Sequence, residues 1–169
     1  MQRLIALGLA FYSFFLIKTN MPRLPERIPT HFNAAGEANG WGSPDSLWVL
    51  LVLQVLVCGL FLGVPLLSRR YPDSVNLGTR KLSDLTPAQR ERVMPIFSDM
   101  MGYMSILFGL LFSVLLRGNI HAALSSHPRL SPWWGLWVFL AGLVATFIYY
   151  VRRINAAADE MPPGGRSAM

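Results

Sequence analysis

Four stretches without Asp, Glu, Lys or Arg restrict what this chain can fold into. The runs are 4–17, 46–68, 100–116 and 130–151. Roughly 20 apolar residues are needed to cross the hydrocarbon core of a bilayer, so the first and third runs reach that length only if flanking charged residues lie at the interfaces. Charged residues make up only 14% of the chain, below the roughly 25% of a typical soluble domain. The sequence therefore predicts an all-α integral membrane protein with four transmembrane helices.

The first run also has the features of a cleaved signal peptide, because Arg3 precedes a short apolar stretch. No pair of small residues at the A-x-A spacing of a signal peptidase site follows that stretch. An uncleaved anchor is therefore the favoured interpretation, and cleavage would leave three spans.

The lysines and arginines between the runs predict an orientation. Ten of them lie at the N-terminus, between the second and third runs and after the fourth, and five lie in the other two loops. The positive-inside rule then places both termini in the cytoplasm and the loop 18–45 outside the cell. We expect a multi-pass protein of the bacterial cytoplasmic (inner) membrane, with a single membrane domain at 1–155 and a disordered cytoplasmic tail at 156–169. The same rule explains the net charge of +6 without nucleic acid as a partner.

The loop 18–45 is rich in residues that oppose helix. Its prolines fix extended backbone, and its asparagines and glycines suit tight turns and positive φ. The sequence predicts an ordered non-helical extracytoplasmic loop whose near-zero net charge favours recognition by shape. The candidate binding residues are Pro29, His31, Phe32, Asn33, Gly36, Asn39 and Trp41.

His31 is the residue of this loop with the clearest chemical potential, since histidine can act as a base, a metal ligand or a pH sensor. Three roles remain open: a hydrogen bond to loop backbone, contact with a partner, or catalysis and metal binding. No His, Cys or Asp cluster with metal-ligand spacing surrounds it, and the chain contains no familiar catalytic motif. We therefore expect a protein that is not an enzyme and that uses no metal or cofactor.

The segment Pro25 to Gly42 reads P-x-x-I-P-x-H-F-N-x-x-G-x-x-N-G-W-G. It resembles a bacterial membrane domain of unknown function that also occurs at the N-terminus of SdpI-type immunity proteins, which protect cells against a secreted killing peptide. The resemblance extends more loosely over the first two runs and 71–76. It implies recognition of an extracellular peptide and relay to a cytoplasmic repressor. The chain departs from the SdpI-type pattern because it lacks a second SdpI-like half.

Small residues spaced four apart predict helix packing faces. Gly59 and Gly63 form such a pair in the second run, and Ser105, Gly109 and Ser113 form a stripe in the third. Packing within one four-helix bundle is the favoured interpretation, and dimerisation is the alternative. The absence of acids, bases and His from all four runs disfavours ion-coupled transport.

A capping box at Thr86 to Gln89, with Pro87 at the first helical position, predicts a helix start. We expect a short amphipathic cytoplasmic interfacial helix there, which Pro95 bends into the third span.

Two classes of function remain. The first is a binding, signalling or toxin-immunity-like membrane protein that uses the outer loop for recognition of an extracellular peptide or a membrane-protein partner. The second is an accessory or scaffolding subunit of a larger membrane complex. The lipid bilayer is the expected partner in both, and the oligomeric state is left open.

Overall fold

The computed structural model describes residues 1–77, 81–130 and 134–159. The described residues form four long helices, α1 (Gln2–Asn20), α2 (Ser46–Arg70), α3 (Pro87–Ala123) and α4 (Gly135–Asp159), and two strands, β1 (Ile28–Phe32) and β2 (Ala38–Gly42). All four helices are long and apolar enough to cross a membrane. The prediction of a mostly helical protein with four such helices is confirmed.

Helix α3 is the central element, because α1, α2 and α4 all pack against it. It contains 37 residues, which at 1.5 Å per residue gives a length of about 55 Å. A bilayer core is about 30 Å thick, so α3 extends well beyond the apolar layer. The predicted capping box is present: the Thr86 hydroxyl accepts from the Gln89 amide, and the Gln89 side chain accepts from the Thr86 amide.

The predicted short interfacial helix is not a separate element. Its residues form the first turns of α3, and Pro95 lies inside that continuous helix. A proline removes one helical hydrogen bond, and packing compensates for it here, since Val93 and Phe97 on either side are buried in the core.

The helices alternate in direction, which gives the molecule two ends. Strands β1 and β2 and residues 124–130 lie at one end, here named the hairpin end. The N-terminus, residues 71–86 and the end of α4 lie at the other, here named the opposite end. Two contacts with α3 define it: Gln2 Nε2 donates to the Asp99 carbonyl (3.4 Å), and Gln89 Nε2 donates to the Ala158 carbonyl (2.7 Å).

Each end has its own apolar core. At the hairpin end the first three helices and β1 contribute the buried side chains. These are Ile17, Ile28, Leu47, Leu116 and Ile120. At the opposite end α3 and α4 enclose side chains of the segment 71–86, which connects α2 to α3. Leu77, Leu82 and Leu85 are among these side chains.

Helix α4 continues through Asp159, so residues 156–159, which the sequence analysis placed in a disordered tail, are helical. Ala157 and Ala158 are buried, and α3 caps their carbonyls: Arg92 Nε donates to Ala157 (3.2 Å) and Gln89 to Ala158. Residues 160–169, the rest of the predicted tail, lie outside the described residues.

Candidate functional site

The turn between β1 and β2 is built by Asn33 and Gly36. The Asn33 side-chain oxygen accepts from the backbone amides of Ala35 (3.0 Å) and Glu37 (2.9 Å), while its backbone amide donates to the Glu37 carbonyl (2.9 Å). Gly36 has a φ of 77°, a conformation that costs glycine little and other residues more. The segment 33–37 is therefore an asparagine-stabilised turn.

The sequence suggested that the glycines of β2 adopt positive φ, but they have a different role. Gly36 alone among the described residues has positive φ, whereas Gly40 and Gly42 lie in the strand. A Cβ atom on Gly40 would lie 2.8 Å from His31 Cβ, and one on Gly42 would lie 3.0 Å from Thr30 Cγ2. Glycine at these positions allows the strands to approach closely, through a pairing that is irregular around His31.

The hairpin is anchored on the helices through the start of β1. Ile28 is 0% exposed and belongs to the core at the hairpin end, and Pro29 beside it is also fully buried. Strand β1 packs against α3. Two adjacent buried residues thus fix the base of the hairpin to the bundle.

A second attachment comes from the loop between α3 and α4. Arg129 Nη2 lies 2.6 Å from Glu37 Oε1, the Leu130 amide donates to the Gly36 carbonyl (2.8 Å), and the Ala38 amide donates to the Pro128 carbonyl (3.3 Å). Residues 128–130 therefore run alongside the hairpin turn and form a single isolated antiparallel β-bridge with it, between Arg129 and Glu37. Sequence reasoning missed Arg129, which it used only as a topology marker, because 92 residues separate it from Glu37.

The remaining predicted binding residues line the accessible part of the hairpin. His31 and Asn39 are exposed, and their side chains are hydrogen-bonded, with His31 Nδ1 2.5 Å from Asn39 Oδ1. Trp41 is 46% exposed, and Phe32 is half-buried. The His31 side chain is thus hydrogen-bonded to a neighbouring side chain, and not to loop backbone, which was one of the three roles left open by the sequence.

The arrangement has the properties of a binding surface. In the ranges 1–77, 81–130 and 134–159, no three His, Cys, Asp or Glu side chains are grouped closely enough to hold a metal ion. The exposed groups are an imidazole, an amide and an indole, which together offer hydrogen bonds and a large apolar contact area. We name the exposed side chains of His31, Asn39 and Trp41 the hairpin face.

The predicted packing stripe of α3 lies where α1, α2 and α3 meet. Ser105, Gly109 and Ser113 are buried. Ser113 Oγ lies 3.0 Å from Ser13 Oγ of α1, and Gln54 Nε2 of α2 donates to the Gly109 carbonyl (3.2 Å). These contacts pair the serine hydroxyls and the Gln54 amide nitrogen within an apolar layer, whereas Gln54 Oε1 is buried without a hydrogen-bond partner among the described residues.

The other predicted packing pair, Gly59 and Gly63, meets no neighbouring helix within the part of the chain that the structure describes. No atom lies within 4 Å of a Cβ built on either glycine. Helix α2 uses a different face for its contacts, the one that carries the buried Gln54 and Cys58.

Four helices of this length and apolarity define a multi-pass membrane protein. Residues 5–56, which cover α1, the hairpin and the first half of α2, match the family described as a domain of unknown function (DUF1648). No curated protein and no solved structure matches the chain. The family match includes every predicted binding residue of the hairpin, whereas Arg129 and the central helix α3 lie outside it.

Proposed function

We propose that this protein acts by binding, without chemical turnover, and that the hairpin face is its recognition surface. The supporting observation is the double attachment of the hairpin, through buried Ile28 and Pro29 on one side and through Arg129 on the other. A surface held in this way loses little conformational freedom when a partner binds, which favours affinity.

The partner class that fits best is an extracellular peptide. The resemblance of 25–42 to SdpI-type proteins supports a toxin-immunity-like or signalling role, and the cation distribution supports a bacterial inner membrane with the hairpin outside the cell and both termini inside. An exposed tryptophan beside polar hydrogen-bonding groups suits an amphipathic peptide at the membrane surface.

Reporter fusions test the orientation on which this proposal depends. Fusions after Ser43 should be extracytoplasmic, and fusions after Ser83 should be cytoplasmic. A cytoplasmic reporter signal at Ser43 would place the hairpin face away from any extracellular peptide.

The recognition role is tested in cells that lack the gene and are complemented with variants. Trp41→Ala removes the largest group of the hairpin face, and Trp137→Ala removes an indole from α4 that is 64% exposed and distant in sequence from the hairpin. Sensitivity to killing peptides secreted by related strains should rise in Trp41→Ala cells and stay at the parental level in Trp137→Ala cells, at equal amounts of protein. Equal protection by both variants would argue against the hairpin face.

An accessory or scaffolding subunit is the second candidate, favoured by the open surface over Gly59 and Gly63. Small residues that face outward allow a helix of another protein to approach closely. Under this alternative, a membrane partner co-purifies in mild detergent, Gly59→Leu releases it, and Gly8→Leu does not. Gly8 is a matched control because it also has no atom within 4 Å of a built Cβ.

A further inference from the structure

The opposite end contains a cavity of about 610 Å³ between the last turns of α2 and the first turns of α3. Six polar residues contribute to its lining: Ser68, Arg69, Arg90, Glu91, Ser98 and Asp99. Two are cationic and two are anionic, so the cavity suits a ligand that carries both charges.

Arg90 is the most informative of these residues. Its Nη2 donates to the Ser83 carbonyl (2.7 Å), which fixes the guanidinium group in place. Its Nε is buried and has no hydrogen-bond partner among the described residues. Arg90 as a residue lines the cavity, and guanidinium groups pair well with phosphate oxygens.

Glu91 and Asp99 supply the complementary acceptors, and Pro95 leaves one of them, the Glu91 carbonyl, without its helical partner. Proline has no amide hydrogen, so Pro95 cannot donate the helical bond that the Glu91 carbonyl would otherwise accept. Both residues line the cavity. The Glu91 carbonyl and the carboxylates of Glu91 and Asp99 can accept hydrogen bonds from a cationic N–H group.

The position of the cavity relative to the apolar layer identifies the source of the ligand. Ser68 ends the second charge-free run, Asp99 directly precedes the third, and both residues line the cavity. The cavity therefore opens where the hydrocarbon layer meets the headgroup layer, the depth at which phospholipid phosphates lie.

We propose that this cavity binds the headgroup of a phospholipid with a primary ammonium group, of the phosphatidylethanolamine class. The phosphate pairs with Arg90 and Arg69, and the ammonium group donates to Glu91 and Asp99. A purely anionic headgroup leaves the two carboxylates uncompensated, and a choline headgroup has no N–H to donate. The site is independent of the hairpin face, which lies at the other end of the molecule.

Native mass spectrometry of the full-length protein in mild detergent tests the proposal. Phosphatidylethanolamine and phosphatidylcholine with identical acyl chains are compared, and we expect the former to bind about tenfold more tightly, the value of one additional charge-assisted hydrogen bond. Equal binding of the two lipids would overturn the proposal. Free phosphoethanolamine at the same concentration should not displace the lipid, and displacement would show that the site takes a soluble ligand instead.

Variants test the assigned contacts. Arg90→Gln should weaken the binding of phosphatidylethanolamine about tenfold. Arg70 is the neighbour of Arg69 and does not line the cavity, so Arg70→Gln should leave this affinity unchanged. Asp99→Asn should weaken phosphatidylethanolamine binding more than phosphatidylcholine binding, because both headgroups lose the attraction to the carboxylate charge but only the ammonium group also loses a charge-assisted hydrogen bond. Thermal unfolding without lipid identifies any variant that fails to fold, and Asp99, being exposed, keeps the test available if Arg90→Gln is unstable. An unchanged lipid preference in folded Asp99→Asn contradicts the assignment.

Discussion

Helices α2 and α3 both carry small residues four positions apart, and the structure uses them differently. In α3 the stripe Ser105, Gly109 and Ser113 is buried between α1 and α2. In α2 the pair Gly59 and Gly63 has open space above it. The identical spacing guarantees only that the residues share a helix face. Whether that face meets a helix of the same chain depends on how the whole bundle is arranged.

The largest effect should come from filling the packed stripe. A Cβ on Gly109 would lie 3.0 Å from Leu9 Cδ1 and 3.6 Å from Cys58 Sγ, so Gly109→Leu forces α1 and α2 away from α3. We expect a loss of about 1–3 kcal/mol in unfolding free energy, the usual cost of overpacking. Unfolding in mixed micelles measures it, and parental stability of this variant would show that α3 is not tightly packed there.

A smaller effect should come from the polar contacts across the same stripe. The coupling between Ser13 and Ser113, measured by a double-mutant cycle with alanine at each position, should be about 0.6 kcal/mol, typical of hydrogen bonds between membrane helices. A coupling of zero would indicate that the two hydroxyls, 3.0 Å apart, contribute through packing alone.

A substitution of Gly102 tests whether the burial of a glycine by itself predicts how much stability is lost when a side chain is added. A Cβ on this buried glycine would meet Oε1 and Cδ at the end of the Gln2 side chain, which can rotate away, and would lie 3.1 Å from Gln2 Cβ, a tight contact that a small shift can relieve. Gly102→Ala should therefore change stability by less than about 0.5 kcal/mol, with any gain in helix propensity offsetting the displacement of Gln2. A loss comparable to that of Gly109→Leu would mean that Gln2 holds α1 firmly against α3.

The smallest effect is expected from Gly59→Leu in the isolated protein. With no neighbour within 4 Å of the new side chain, unfolding free energy should stay within about 0.5 kcal/mol of the parent, as for most surface substitutions. Gly8→Leu on α1 serves as the matched control. A large loss for Gly59→Leu alone would reveal a second chain packed on α2.

Sequence patterns predicted the features of this fold that depend on neighbouring residues. The four apolar runs predicted four helices, and Thr86, Pro87 and Gln89 predicted the start of α3, because hydropathy and capping act over a few positions. The candidate residues of the outer loop were chosen in the same way, and their role in recognition stays a prediction. The paired strands β1 and β2 were not predicted, because strand pairing depends on the close approach at Gly40 and Gly42.

The sequence alone determined the number of long helices, the turn-forming character of the outer loop and the absence of Asp, Glu, Lys, Arg and His from the four apolar runs. Tertiary structure decided that α3 is central, that Arg129 holds the hairpin through Glu37, and that Gln89 caps the end of α4. The last two contacts join residues 92 and 69 positions apart. Such contacts form only after the helices have packed, because no local preference of either residue specifies a partner so far along the chain.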